Sequence, residues 1–126
     1  MNIVPENKMD MEACRYLSQA SSEEVDGQVS ALLQWLKDMN WPVAPCVCKR
    51  LKEVGKPLVE PVREILKGTD EIWKYWVITR LLAESGIEVV SALKPELKRI
   101  VDAPTKLELS EGVNLVAEEV LGRCPS

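Results

Sequence analysis

The sequence predicts an all-α fold, and three observations support this prediction. Apolar residues recur at the three- and four-residue spacing of amphipathic helices along most of the chain, and no useful stretch alternates with the period of a strand. Glycines and prolines stand between these segments, where helices end and restart. The 126 residues, 46% hydrophobic and 29% charged, suit one globular domain.

Residues 1–126 are therefore predicted to form a single domain of about six to eight helices. The predicted helices span about 11–20, 21–39, 42–54, 57–67, 71–85, 87–92, 95–101 and 111–121. Residues 1–9 are expected to be a flexible lead-in, since Pro5 discourages a helix there, and 122–126 to be a tail.

Short polar residues mark the helix starts. Asp10, Ser21 and Asp70 each precede a periodic segment and can accept hydrogen bonds from its first turn. Gly27 weakens the start of the second helix. Residues 105–110 are expected to be a connector.

The fifth predicted helix differs from the others, because apolar side chains cover most of its circumference. A helix of that kind is typically surrounded by other elements. We therefore expect 71–85 to lie in the middle of the fold.

A helix–glycine–helix unit recurs along the chain. Residues 47–51 align with 78–82 at an offset of 31, and Gly55 then aligns with Gly86. Towards the N-terminus, residues 29–33 align with residues 62–66 at an offset of 33. Units of this length that begin near prolines and lack the tetratricopeptide consensus favour a short right-handed α-solenoid of HEAT-like helical hairpins.

Two tryptophan-centred stretches, DMNWPVA at 38–44 and DEIWKYW at 70–76, resemble a bacterial family catalogued as domain of unknown function 5071. The resemblance extends from about Asp10 to Leu121. It implies a short HEAT-like helical fold and no established activity. The chain departs from the family's pattern at 45–48, which bears on the third helix.

Charge and composition narrow the function classes. The net charge is −4, whereas nucleic-acid binders usually carry a basic excess, so a nucleic-acid partner is disfavoured. Residues 46–100 hold 11 basic and 8 acidic side chains, which leaves a modest central basic region. The chain has no His, which removes the usual catalytic triads, and we expect no catalytic, cofactor or metal site.

The four cysteines are interpreted as small hydrophobic residues. Cys46 and Cys48 form a C-x-C pair, and two positions apart on a helix point to nearly opposite sides. Cys14 is interpreted in the same way, and Cys124 as an exposed thiol in the tail. No signal peptide or membrane span is recognisable, so a cytoplasmic location with reduced thiols is expected.

The most specific functional prediction concerns the two tryptophan-centred stretches. Trp41 and Trp73 stand at the starts of equivalent helices, and Trp is a typical interface anchor. The predicted interaction surface consists of Asp38, Asn40, Trp41, Asp70, Trp73 and Lys74. Core packing is the alternative role for both tryptophans, and it is favoured for Trp76.

Tyr75 and Arg80 form a possible polar site on the fifth helix. A buried Arg80 would need a partner, and Glu84 lies one turn away. A structural ion pair is favoured over anion binding.

The sequence therefore predicts a non-enzymatic protein–protein interaction module. The alternative is a nucleic-acid-associated protein that uses the central basic region within 46–100. Partner identity does not follow from the fold class.

Overall fold

A computed structural model describes residues 2–124, and within them the chain is all-helical with no strand. Met1, Pro125 and Ser126 lie outside the described residues. The expectation of a flexible lead-in at Met1 and of a tail at Pro125 and Ser126 therefore concerns residues that the structure does not describe. The α-helices are α1 (Met11–Gln19), α2 (Ser22–Asp26), α3 (Val29–Leu33), α4 (Ala44–Leu51), α5 (Val59–Lys67), α6 (Glu71–Trp76), α7 (Ile87–Ala92), α8 (Lys94–Asp102), α9 (Lys106–Ser110) and α10 (Val113–Leu121). Shorter turns of 3-10 helix cover Gln34–Lys37, Lys56–Leu58 and Leu82–Glu84, and a π-helical turn covers Val77–Leu81.

Ten α-helices in the described part of the chain exceed the six to eight expected, for two local reasons. The predicted helix 21–39 is interrupted at Gly27, whose low helix propensity separates α2 from α3. The predicted connector 105–110 forms α9 because Thr105 and Glu108 make a capping box. The Thr105 hydroxyl accepts the Glu108 N–H at 3.1 Å, and the Glu108 carboxylate accepts the Thr105 N–H at 2.8 Å.

The helix caps predicted at Asp10, Ser21 and Asp70 are confirmed. The Asp10 carboxylate accepts the Ala13 N–H at 3.2 Å, and Ser21 forms a capping box at the start of α2. Asp70 accepts the Trp73 N–H at 3.1 Å and so fixes the first turn of α6.

The segment 71–84 is continuously helical and passes from α-helix through the π turn to 3-10 helix. Its second half is buried as expected, at Val77, Ile78, Leu81 and Leu82. Its first half is not surrounded, because the Ile72 side chain is 55% exposed. Arg80 in the second half is exposed as well, so the expectation of burial on all sides holds for neither half.

One hydrophobic cluster joins the chain from Ile3 to Val120. Residues 2–9 contain no helix, yet they lie against this core: Ile3 and Pro5 are buried, and the Lys8 carbonyl accepts the Val43 N–H.

After α10, the Arg123 guanidinium donates to the carbonyls of Leu82 and Ser85 at 2.7 and 3.1 Å. These bonds attach the described end of the chain to the turn that follows 71–84.

Five of the long-range side-chain contacts share a nearly constant sequence separation of 32 to 34 residues, while others among the described residues range from 29 to 41. The five join Cys14 to Cys46, Cys48 to Arg80, Lys52 to Glu84, Arg63 to Glu96 and Lys74 to Glu108. Segments one such interval apart therefore lie side by side.

The cysteine interpretation is wrong for one pair. Cys14 and Cys46 form a disulfide that joins α1 to α4, so they are not separate reduced thiols. Cys124 packs partly buried against the core, as expected of a small hydrophobic residue, and is not a fully exposed thiol. The opposite orientation expected for the C-x-C pair is confirmed, because Cys46 faces α1 while the Cys48 thiol contacts the Arg80 carbonyl at 3.5 Å.

Candidate functional site

A groove of about 440 Å³ lies between two neighbouring helical segments. One wall comes from α3 and the 3-10 turn after it, and the other from α5, the 68–70 link and the start of α6. We call it the Trp73 groove; it is lined by Ser30, Leu33, Gln34, Lys37, Pro61, Glu64, Ile65, Gly68, Thr69, Asp70 and Trp73.

The Trp73 side chain connects the two walls. Its indole N–H donates to the Leu33 carbonyl across the groove at 3.0 Å. The ammonium of Lys37 stands over the ring, 4.6 Å from its centroid, at a distance typical of a cation–π contact. The ring is thus held in a fixed orientation, and the buried Leu33 and Ile65 form the apolar floor of the groove.

The rim of the groove carries charges of both signs. Glu64 and Asp70 are exposed carboxylates, and Lys37 is the one lysine lining the groove. Among the ion pairs of the described residues, none joins Lys37 to either carboxylate. The rim therefore presents one negative charge more than Lys37 neutralises.

A second group of charges lies on the other flank of α6, and it is buried. The Lys74 ammonium, 2% exposed, bonds to the carboxylates of Glu71 and Glu108, both at 2.9 Å. Glu108 is fully buried and also accepts two bonds from the Arg99 guanidinium, at 2.6 and 2.8 Å. We call these four residues the Lys74 cluster; it joins α6, α8 and α9.

Every carboxylate oxygen of Glu108 has a donor, and this sets its protonation. Burial acts to raise the pKa of Glu108, but hydrogen bonds from Arg99, the Thr105 backbone and Lys74 outweigh it and hold the pKa at about 2. The carboxylate therefore stays ionised over the ordinary pH range. A perturbed pKa can indicate a catalytic group. Here the fully paired, buried geometry indicates a structural one.

The structure separates the six residues of the predicted interaction surface. Asp70 and Trp73 line the groove. Trp41 lies outside the groove lining and packs edge-on against Trp35, with ring centroids 5.5 Å apart. Asp38 accepts the backbone N–H of Asn40 at 2.8 Å and so stabilises the turn before Trp41.

Lys74 must be removed from that surface. A side chain that is 2% exposed and bonded to two carboxylates cannot contact a partner. The sequence shows only that Lys74 is the neighbour of Trp73. It does not show that Glu108 lies beside Lys74 in the fold, and this contact decides the burial of Lys74.

Tyr75 and Arg80 do not form one polar site. Tyr75 lines a depression beside α10, whereas Arg80 lines a separate one beside Cys48 and Lys52. Arg80 is exposed, with its guanidinium 5.6 Å from the centroid of the Trp76 ring. The expected pairing with Glu84 is also wrong: Glu84 bonds to Lys52 at 2.8 Å, and that hydrogen bond lowers the pKa of Glu84.

Trp76 was expected in the core and is partly exposed. Its ring contacts Tyr75 edge-on, with centroids 5.3 Å apart.

Several groove residues were missed at the sequence level, chiefly Ser30, Leu33, Glu64 and Ile65. A signal for them was present. The repeat aligns 29–33 with 62–66, and units that align in a repeat lie next to each other when the repeats stack. The groove forms between these two aligned segments.

The described residues contain neither a metal-binding cluster nor a membrane-spanning helix. Residues 2–124 contain no group of three potential His, Cys, Asp or Glu ligands placed to hold a metal ion. No helix in this part of the chain has the length and apolarity needed to cross a membrane.

Comparison with known proteins gives a family and no activity. A search of curated proteins returns no match to this chain. The profile described as "Domain of unknown function (DUF5071)" matches residues 3–121, which include the groove, the Lys74 cluster and both tryptophan-centred stretches. The chain therefore belongs to the DUF5071 family.

Proposed function

We propose that this chain is a non-enzymatic protein-interaction module and that its partner docks on the Trp73 groove. The observation that supports this most is the combination of a buried apolar floor, a fixed tryptophan and unpaired charges at the rim. Binding energy at protein interfaces concentrates on such aromatic anchors in apolar pockets surrounded by polar residues.

The proposed architecture is a short right-handed solenoid of HEAT-like hairpins. The recurring contact separation of 32 to 34 residues supports it, because stacked repeats bring equivalent positions of neighbouring units together. The same stacking accounts for the groove between 29–37 and 61–73. Solenoids commonly use such inter-repeat surfaces for recognition.

The proposal of a non-enzymatic role is supported by the state of the ionisable groups. The most strongly shifted pKa is that of Glu108, and the Glu108 carboxylate is buried and bonded to Arg99 and Lys74. A general acid or base needs a proton to exchange with substrate at working pH, and this geometry provides no access for one.

Nucleic-acid association through the central basic region is the alternative function, and it has less support. Arg50 is partly buried and donates to the Ala20 carbonyl at 3.2 Å, while Lys52 is paired with Glu84. Of the remaining cations in 46–100, Lys49, Lys56, Lys67, Arg80 and Lys98 are exposed without an ion pair among the described residues. Exposed carboxylates such as Glu53 and Glu64 lie between them in the sequence, so we expect few phosphate contacts and a shallow dependence of any DNA binding on salt concentration.

The cytoplasmic location stays a prediction, and the Cys14–Cys46 disulfide provides a test. Disulfides persist mainly in oxidising compartments. We would alkylate intact cells before lysis and measure the modification of both cysteines by mass spectrometry. Quantitative alkylation would support a reducing location, whereas protection that disappears after reduction would contradict the cytoplasmic prediction.

The docking proposal is tested with a pair of matched variants. Ser30→Arg places a long side chain in the groove from an exposed helical position, and Ser91→Arg makes the same change on α7, away from the groove. We expect partners captured from native lysate by the unmodified chain to be retained by S91R and lost by S30R. Equal capture by both variants would rule out the groove as the docking surface.

A further inference from the structure

The Trp73 groove also carries information about the chemistry of its occupant, provided that the docking proposal above is correct. Its floor is apolar and buried at Leu33 and Ile65. A partner must therefore contribute at least one apolar side chain to fill it, because an empty or hydrated apolar floor gives no affinity.

The charges of the rim indicate the second requirement. Glu64 and Asp70 are exposed on the α5–α6 wall and lie in the groove lining without an ion pair among the described residues. Asp70 uses one oxygen, Oδ1, for the Trp73 N–H, which leaves Oδ2 for a donor from outside. The carboxylate oxygens of Glu64 accept none of the hydrogen bonds found between described residues.

Lys37 shows how the groove accommodates a cation. Its ammonium lies over the Trp73 ring and forms no salt bridge within the described chain, so the ring face is what attracts it. The remaining attraction for cations comes from the two rim carboxylates, and the chain as a whole adds to it through its net charge of −4.

We infer that the groove binds a basic, amphipathic segment of a partner protein, with leucine-like side chains on the Leu33–Ile65 floor beside Trp73 and lysine or arginine at Glu64 and Asp70. An acidic segment would place carboxylates beside two others with Lys37 as the single counter-charge. A purely basic segment would leave the floor uncovered. The inference therefore requires both properties in one segment.

The test uses isotope-labelled full-length protein and three capped peptides of equal length. The first alternates leucine and lysine, the second replaces each lysine by glutamate, and the third replaces each leucine by serine. We follow the indole N–H of Trp73 and the methyl groups of Leu33 and Ile65 by NMR. These signals should shift saturably with the leucine–lysine peptide and not with the other two.

Variants then test the contribution of the rim charge separately from the contribution of the groove's shape. Glu64→Gln keeps the size of the side chain. It should lower the affinity for the leucine–lysine peptide by about 2- to 5-fold at low salt, with a smaller effect at high salt. Glu88→Gln, on the exposed face of α7 and outside the groove lining, is the matched control and should have no effect. Ser30→Arg should weaken binding by more than tenfold.

The outcomes that overturn the inference differ from those that overturn docking. Tighter binding of the leucine–glutamate peptide, an unchanged affinity in E64Q, or no shift with any peptide would contradict the basic amphipathic partner. The docking proposal would then still stand if S30R alone loses the captured partner. Equal capture by S30R and S91R would remove both.

Discussion

Trp73 and Lys74 are neighbours in the sequence and lie in opposite environments. Trp73 forms part of an open groove with unpaired carboxylates at its rim, whereas Lys74 is buried with both of its carboxylate partners. Charges that the fold neutralises internally serve stability. Charges left beside an apolar depression remain available to another molecule. The four predictions below test this division, beginning with the largest expected effect.

Replacing Lys74 by methionine should destabilise the fold by about 3–5 kcal/mol, because it leaves Glu71 buried without a counter-charge and removes one donor from Glu108. Chemical denaturation measures the change. Lys67→Met, at an exposed position on α5, is the control and should change stability by less than about 0.5 kcal/mol. Equal effects of the two variants would show that the Lys74 cluster is not structural.

Acid should weaken the same cluster. The pKa of Glu108 is about 2 in the folded chain and near 4.5 when unfolded, so its contribution is fully present above about pH 5 and is lost as the pH falls toward 2. The shift corresponds to about 3 kcal/mol. Denaturation curves of the unmodified chain and Glu108→Gln at several pH values measure this. E108Q should be less stable at pH 7 and should lose part of the acid dependence; identical slopes would refute the assignment.

Replacing Trp73 by phenylalanine should have a smaller effect on stability, about 1–3 kcal/mol. The change removes the N–H bond to the Leu33 carbonyl and leaves a gap where the larger ring packed. Thermal unfolding measures the loss. Trp41→Phe leaves the groove lining intact and serves as the control for partner capture, which we expect only W73F to weaken.

Glu64→Gln should leave stability unchanged to within about 0.5 kcal/mol, because the exposed carboxylate has no partner that the change would strand. Chemical denaturation measures the change. A loss above 1 kcal/mol would mean that Glu64 is a structural residue and would end its assignment to partner binding.

Local features of the fold were predictable from the sequence. Caps at Asp10, Ser21 and Asp70 act within one turn, so a few consecutive residues determine them. The α9 helix could have been predicted as well. Thr105 followed by Glu108 three positions later is the capping-box pattern of a helix start.

Long-range features were not predictable in the same way. The burial of Lys74 depends on Glu108, which lies 34 residues away, and no local property of DEIWKYW reveals it. The Cys14–Cys46 pair is an intermediate case: its separation of 32 residues matches the repeat offset, but a cysteine at equivalent positions of two units does not by itself indicate a bond. Predicting the groove would have required knowing which faces of α3 and α5 pack against each other.

The disulfide has a mechanical consequence. It closes a loop with a sequence separation of 32, which contains the α3 wall of the groove, while the α5–α6 wall lies outside that loop. When the chain is pulled from its two ends, the loop cannot extend, and the contour length is shorter by about 100 Å than in the reduced chain. Tension applied at the two ends therefore acts through the disulfide and along the α5–α6 wall, and not along the α3 wall inside the loop.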